Sequence, residues 1–246
     1  MISYMDFTSP DVQYFFDLRK NRLMTKDSRN YINELGRKQL NTLGDVSLLD
    51  IFLSQTNIVE PHIHQNASEL IYLISGSAVV SLINPFTKKL INIPLVPQQV
   101  ANVPQGWWHY EIATMDDTHI LAIFDAPYPE FIAGSDILRL TPAEILSHSY
   151  CLDEAKIKEA LAPIKGTVLI GPPKDCKLTA TSQAQGVQMT PAVKMQMSGM
   201  MPTNSMGTMG ASFQQLAYPA VPQPVYRYAP PAYSPYIGNV WQANGQ

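Results

Sequence analysis

The chain has 246 residues, 46% of them hydrophobic, and a formal net charge of −3. That length and apolar content allow one or two domains with a real core. The weakly acidic balance, without a basic stripe, gives no reason to expect nucleic acid as a partner, and the longest apolar runs, such as Ile120–Phe124, fall far short of the ~20 residues that span a bilayer, so no membrane partner is expected.

Residues 1–49 read as a helical N-terminal segment. Ser9-Pro10-Asp11 offers a helix start, with proline suited to the first turn, and Val12, Phe15, Phe16 and Leu23 offer an apolar stripe. A second helical stretch is expected from Ser28 to about Leu43. The beginning of the chain, MISYMDFTSPDV, lacks a basic region followed by an apolar stretch and does not read as a secretory signal. With only Cys151 and Cys176, too few for a disulfide framework, the expected setting is the reducing cytoplasm.

Residues 50–125 change character. Short β-rich runs alternate with turn residues: Leu48–Gln55, Val59–Gln65, Glu69–Ile74, Ala78–Ile83, Lys89–Ile93, Gln99–Val103, His109–Ala113 and Thr118–Phe124. Eight such strands at this spacing predict an antiparallel sandwich or barrel. Residues 126–178 return to helix, with a start signal at Thr141-Pro142-Ala143-Glu144 and a second helix over Leu152–Leu161. Residues 179–246 carry seven of the eleven methionines, no acidic residue, and only Lys194 and Arg227 as charges. Such a Met- then Pro/Tyr/Gln-rich tail lacks periodicity and is expected to be disordered.

The chemistry sits in PHIHQNASELIYLISG. His62 and His64, two apart on a strand, present two imidazoles to one side of the sheet. Glu69 follows the turn Gln65-Asn66-Ala67-Ser68 and opens the next strand, beside them. Some forty residues on, Pro104-Gln105-Gly106 makes a turn and His109 opens the strand after it. Three neutral nitrogens and one carboxylate suit Mn²⁺, Fe²⁺, Ni²⁺ or Zn²⁺. Open positions on such an ion would take water or substrate. His119 and His148 have no partner pattern and read as ordinary residues.

This pattern resembles the two motifs of the cupin superfamily, G(X)5HXH(X)3–4E(X)6G and G(X)5PXG(X)2H(X)3N. His62, His64, Glu69 and Gly76 match the first; Pro104, Gly106 and His109 match the second. Thr56 and Gln98 stand where each motif opens with glycine, and Ala113 where the second ends in asparagine. SELIYLISGSAVVSLIN and ILAIFDAPYPEFIAGSDILRLTPAEILSHSY are further similar to bacterial oxalate decarboxylases and their germin-like relatives. The resemblance implies a mainly β fold, an antiparallel cupin (jelly-roll) β-barrel, here with flanking N- and C-terminal helices and a disordered tail. It implies manganese as the metal, held by His62, His64, Glu69 and His109, and a lid-loop glutamate in proton transfer, which places Glu130 as the candidate catalytic residue. Those enzymes position oxalate with an arginine three residues before the first motif histidine, a place Val59 occupies here, which argues against oxalate as the substrate.

Two readings follow. In the first, the protein is a decarboxylase- or oxidase-type enzyme acting on a small carboxylic acid, with Trp107 and Trp108 walling the pocket. In the second, it is a non-catalytic binding or structural cupin that displays its tail, whose composition resembles that of spore-coat proteins. Leu70–Ile74 is apolar on both faces. One face needs cover from the N-terminal helices or from a second subunit, so a homodimer is expected.

Overall fold

The computed structural model describes residues 5–174 and 176. The segment read as a disordered tail, 179–246, lies outside the described residues. In chain order the strands are β1 (Arg22–Thr25), β2 (Tyr31–Leu35), β3 (Ser47–Leu53), β4 (Ile58–Ile63), β5 (Glu69–Ser75), β6 (Ala78–Asn84), β7 (Lys89–Leu95), β8 (Val100–Val103), β9 (His109–Ala113), β10 (Thr118–Phe124), β11 (Ile132–Ala133) and β12 (Ile170–Gly171). Helices α1 (Gly134–Leu140), α2 (Ala143–Tyr150) and α3 (Glu154–Leu161) lie between the last two strands. One sheet runs β1-β2-β3-β10-β5-β8 and the other β11-β4-β9-β6-β7, with β12 added beside β4. Every pairing is antiparallel, and the order of non-consecutive neighbours is that of a jelly roll.

Alternation decides which residues fill the space between the sheets. On β5 the odd positions Ile71 and Leu73 are fully buried, while Leu70 and Ile74 stay largely exposed. On β10 Ile120, Ala122 and Phe124 turn inward, and on β3 Ile51 and Leu53 do so. Each large side chain so buried contributes roughly 1.5–3 kcal/mol. All eight strands expected between residues 48 and 124 are present, with ends that differ by a few residues at most.

The N-terminal segment departs from the expectation of helix. Among the described residues before Ser47 the only helical turn is the 3₁₀ segment Leu18–Lys20; β1 and β2 form a hairpin that extends the first sheet. The turn decides this. The Asp27 carboxylate accepts the backbone N–H groups of Arg29 and Asn30, and the backbone of Lys26 bonds that of Asn30, closing a tight reversal. Ile32 then points into the core as β2 pairs with β3. Phe15, expected on an apolar stripe, is 81% exposed. The C-terminal helices are as expected in place, with Asp153 capping α3. Thr141, however, bonds back to the Ile137 carbonyl at the end of α1 and does not cap α2.

The motif positions explain their own residues. Gly76 has φ +75, and a Cβ there would lie 2.5 Å from Thr118 Oγ1 and 2.6 Å from its Cα, so only glycine fits. Thr56 and Gln98, where the family motifs carry glycine, also have positive φ, +69 and +73. The turn geometry is thus kept, and the exposed side chain of Thr56 is accommodated at a cost in backbone strain. Gly76→Ala is therefore expected to lose about 2–4 kcal/mol by thermal or denaturant unfolding. Thr56→Gly should be neutral or gain up to about 1 kcal/mol. Equal losses at both sites would contradict this account.

Candidate metal centre

His62 lies on β4, Glu69 opens β5, His109 opens β9, and His64 follows the end of β4. All four are buried, with relative exposures of 1–5%. One ligand atom from each lies within 4.8 Å of the others. His62 Nε2 is 3.1 Å from His64 Nε2, His109 Nε2 is 2.8 Å from Glu69 Oε2, and His64 Nε2 is 3.7 Å from Glu69 Oε2. Donors that share an ion through bonds of about 2.1 Å stand roughly 3 Å apart when adjacent and about 4.2 Å when opposed. These distances lie within or close to that range.

The orientation of the rings is fixed by the backbone. His62 Nδ1 is 2.7 Å from the Glu60 carbonyl, His64 Nδ1 is 3.0 Å from the Glu130 carbonyl, and His109 Nδ1 is 2.8 Å from the Trp107 carbonyl. A carbonyl only accepts, so each Nδ1 carries the hydrogen and each neutral ring turns an Nε2 lone pair into the cluster. Two lone pairs 3.1 Å apart repel unless a cation lies between them. The donor set therefore fits a divalent ion, and the cluster could hold one.

Without an ion, protons take the neutralising role. Burial, reinforced by the neighbouring His109, lowers His62 to about 3. Burial would lower His109 as well, but its hydrogen bond to Glu69, with the charges of Glu111 and Glu69, outweighs that and raises it to about 9. Burial would raise Glu69, but the same hydrogen bond and the surrounding imidazoles hold it below its ordinary value.

A cavity of about 100 Å³ adjoins the cluster. His62, His64 and Glu69 reach its wall, together with Val59, Glu60, Phe131 and other residues, none of them Arg or Lys. Its size suits a molecule of a few heavy atoms and not a drug-sized ligand. Trp107 and Trp108, expected to wall the pocket, do not line it: Trp107 packs against the core, and Trp108 lies against the site where a Gly134 Cβ would be.

Glu130 meets the cluster through its backbone. Its carbonyl orients His64, and its N–H donates to Asn66 Oδ1 at 2.8 Å, while Asn66 Nδ2 donates to the Tyr128 carbonyl. The residue is exposed and does not line the cavity.

Sequence reasoning missed two buried carboxylates. Glu60 accepts the backbone N–H groups of Ser135, Val168 and Leu169 and the Ser135 hydroxyl, tying α1 and the segment before β12 to β4. Its inward turn depends on the irregularity between Val59 and His62, which breaks simple alternation. Glu111 stands two residues after His109, so the strand period alone put it on the same inner face. Burial and then the nearby Glu69 charge raise it to about 8.

A jelly roll enclosing three imidazoles and a carboxylate defines the class, and comparison with known proteins agrees. The cupin family profile matches residues 21–158, more than half of the sequence, and the chain belongs to the cupin family. A probable germin-like protein of Arabidopsis thaliana is 29% identical over 123 residues, 49% of this chain and 56% of that one. The chain thus spans about half the length of the curated relatives it matches. Among solved structures, an oxalate decarboxylase superimposes with a TM-score of 0.57 at 18% identity, covering 71% of this chain and 46% of that one. An oxalate oxidase solved with the substrate analogue glycolate gives a TM-score of 0.57 at 16% identity, covering 68% and 87%. At these identities the superpositions establish the fold alone. No helix among the described residues is long and apolar enough to cross a membrane.

Proposed function

We propose that the chain is a metal-dependent cupin that takes a small carboxylic acid or hydroxy compound. The observation that carries it is the set of three backbone-anchored Nδ1–H groups, which aim His62, His64 and His109 Nε2 at one point beside Glu69. Manganese is the ion the motif resemblance favours; Fe²⁺, Ni²⁺ and Zn²⁺ suit the same donors. Bound there, the ion would polarise a carboxylate or hydroxyl oxygen as a Lewis acid. Phe131 and Pro129 give one side of the cavity an apolar wall. Glu130 is the candidate proton-transfer group of the lid loop, and its side chain has to turn inward to act. A binding module without turnover is the second reading, favoured by the exposure of Glu130 and its absence from the cavity wall. A coat location belongs to that reading, a cytoplasmic one to the first.

Oxalate is expected to be a poor substrate. Val59 lines the cavity where related enzymes carry arginine, no Arg or Lys stands among the described lining residues, and Glu34 and Glu60 also line the wall. Losing a charge-assisted contact to the second carboxylate costs about 1.5–3 kcal/mol, on the order of tenfold to a hundredfold in kcat/KM. Steady-state assays of manganese-loaded protein with oxalate, glycolate and monocarboxylates, on wild type, Val59→Arg and Glu130→Gln, test this. Efficient oxalate turnover by the wild type would refute the Val59 argument. Turnover of another acid that survives Glu130→Gln removes Glu130 from the chemistry, and no turnover of any acid favours the binding module.

We also propose a homodimer. Leu70, Ile74 and Val100, 39%, 41% and 53% exposed, lie on the outer face of β5 and β8, and the N-terminal hairpin pairs with β3 instead of covering them. Sedimentation should give twice the chain mass, and Leu70→Glu with Ile74→Glu should halve it. A monomeric wild type would end this reading.

A further inference from the structure

The side chain that the site described so far leaves unexplained is Glu111. It is 1% exposed, and neither carboxylate oxygen has a hydrogen-bond partner among the described residues. A carboxylate buried in this way is among the costliest arrangements a fold can hold. β9 carries it inward between Val59 of β4 and Val80 of β6, so neither residue directly opposite it offers a polar side chain. The polar atom it approaches is His109 Nε2, 3.8 Å from its Oε1. That spacing falls in the range expected of two donors on one ion, about 3 to 4.2 Å, and is close to the 3.7 Å between His64 and Glu69. Glu111 and His109 do not reach the cavity wall, whereas His62, His64 and Glu69 do.

We propose that Glu111 is a fifth protein ligand to the ion, a role that rests on the metal reading of the four-residue cluster. Glu111 stands outside the group whose donor atoms lie within 4.8 Å of one another, so coordination includes a rotation of its side chain toward His109. Three imidazoles and two carboxylates make the site neutral with a divalent ion, where a single carboxylate would leave it at +1. On a six-coordinate ion such as Mn²⁺, five protein donors leave one open position. The compound taken there binds through one atom, as a monocarboxylate or a neutral hydroxy compound does. A dianion that chelates through two oxygens has neither the second position nor the positive charge to hold it.

The test uses the full chain loaded with Mn²⁺ alone, counting exchangeable waters on the ion by electron-nuclear double resonance in ¹⁷O-enriched water, with affinity from a calorimetric titration. Wild type should carry one water. Glu111→Leu, which has no donor atom, should carry two and bind Mn²⁺ at least about tenfold more weakly. The ion-free Glu111→Leu protein should melt at the same or a higher temperature than ion-free wild type, since it loses an unpaired buried carboxyl; a side chain retained only for the fold predicts a fall. Two waters on the wild-type ion, or unchanged water number and affinity in the variant, overturn the fifth ligand while leaving the four-residue site standing. A wild-type chain that takes up no divalent ion overturns the metal reading and this inference with it. Should Glu111→Leu not fold, the wild-type water count decides alone.

Discussion

Replacing His62 and His64 together by alanine is expected to abolish metal uptake and the thermal stabilisation that comes with it. Each ring supplies an Nε2 whose direction is set by a backbone carbonyl, from Glu60 in one case and Glu130 in the other. Alanine removes both donors; of the four-residue cluster Glu69 and His109 remain, closed on each other through the 2.8 Å hydrogen bond already present, with Glu111 beside them. One imidazole bonded to a carboxylate, with one further carboxylate, does not hold a divalent ion once two of the three imidazoles are gone. An ion that binds only the folded state adds about 4 kcal/mol of stability at a thousandfold excess over its Kd. For the roughly 170 described residues that is a rise in Tm of roughly 8–16 °C. Wild type should show this rise with Mn²⁺ and lose it to a chelator, with about one ion per chain by elemental analysis. The double variant should show neither. Metal content or an ion-dependent Tm shift that persists in the variant would refute the assignment of the cluster.

The parts of this site legible in the sequence are those that follow strand periodicity. His62, Glu69 and His109 fall on strands whose ends are marked by turns, and all eight barrel strands were readable for the same reason. Glu111 was equally readable, since HYEIA alternates from His109, but no motif drew attention to it. What could not be read depends on contacts between distant segments. The β1–β2 hairpin forms because β3 offers an edge and Ile32 a place in the core, whereas Ser9-Pro10-Asp11 and the apolar residues after it imitate a helix start. Glu60 turns inward at an irregularity in β4, and its partners are more than seventy residues away. Glu130 was chosen for its carboxylate, yet the contact it makes with the cluster is through its carbonyl, a group every residue has.

The ion-free protein should be most stable at about pH 6–6.5, and ion binding should move that optimum upward. Three groups set the acid side. His62 is held neutral to about pH 3 in the folded state, so the unfolded chain binds more protons below its ordinary value of about 6.5, and stability is lost as pH falls through that window. His64, lowered by burial as well, adds to the loss below about pH 6.5, and Glu69, held low, adds to it below about pH 4.5. Asp50 and Asp125, also held low, act only below about pH 4. Two groups set the alkaline side. His109, raised to about 9, contributes stability that is complete below about pH 6.5 and lost as pH rises through 9. Glu111, raised to about 8, keeps its proton in the fold where the unfolded chain has released it, so its contribution is lost between about pH 4.5 and 8. Below pH 6.5 it opposes His62 and His64 and offsets only part of their effect; above it, Glu111 and His109 act together, each with a slope of about 1.4 kcal/mol per pH unit. An ion changes the alkaline side, because an imidazole coordinates only when neutral and His109 must release its proton to bind. Affinity therefore rises through the range in which the ion-free protein weakens, and the alkaline limb flattens. Denaturant unfolding from pH 4 to 9, with chelator and with saturating Zn²⁺ or Mn²⁺, measures both curves. An ion-free protein whose stability is level or rising from pH 6.5 to 8.5 would show that His109 and Glu111 do not hold their protons in the fold.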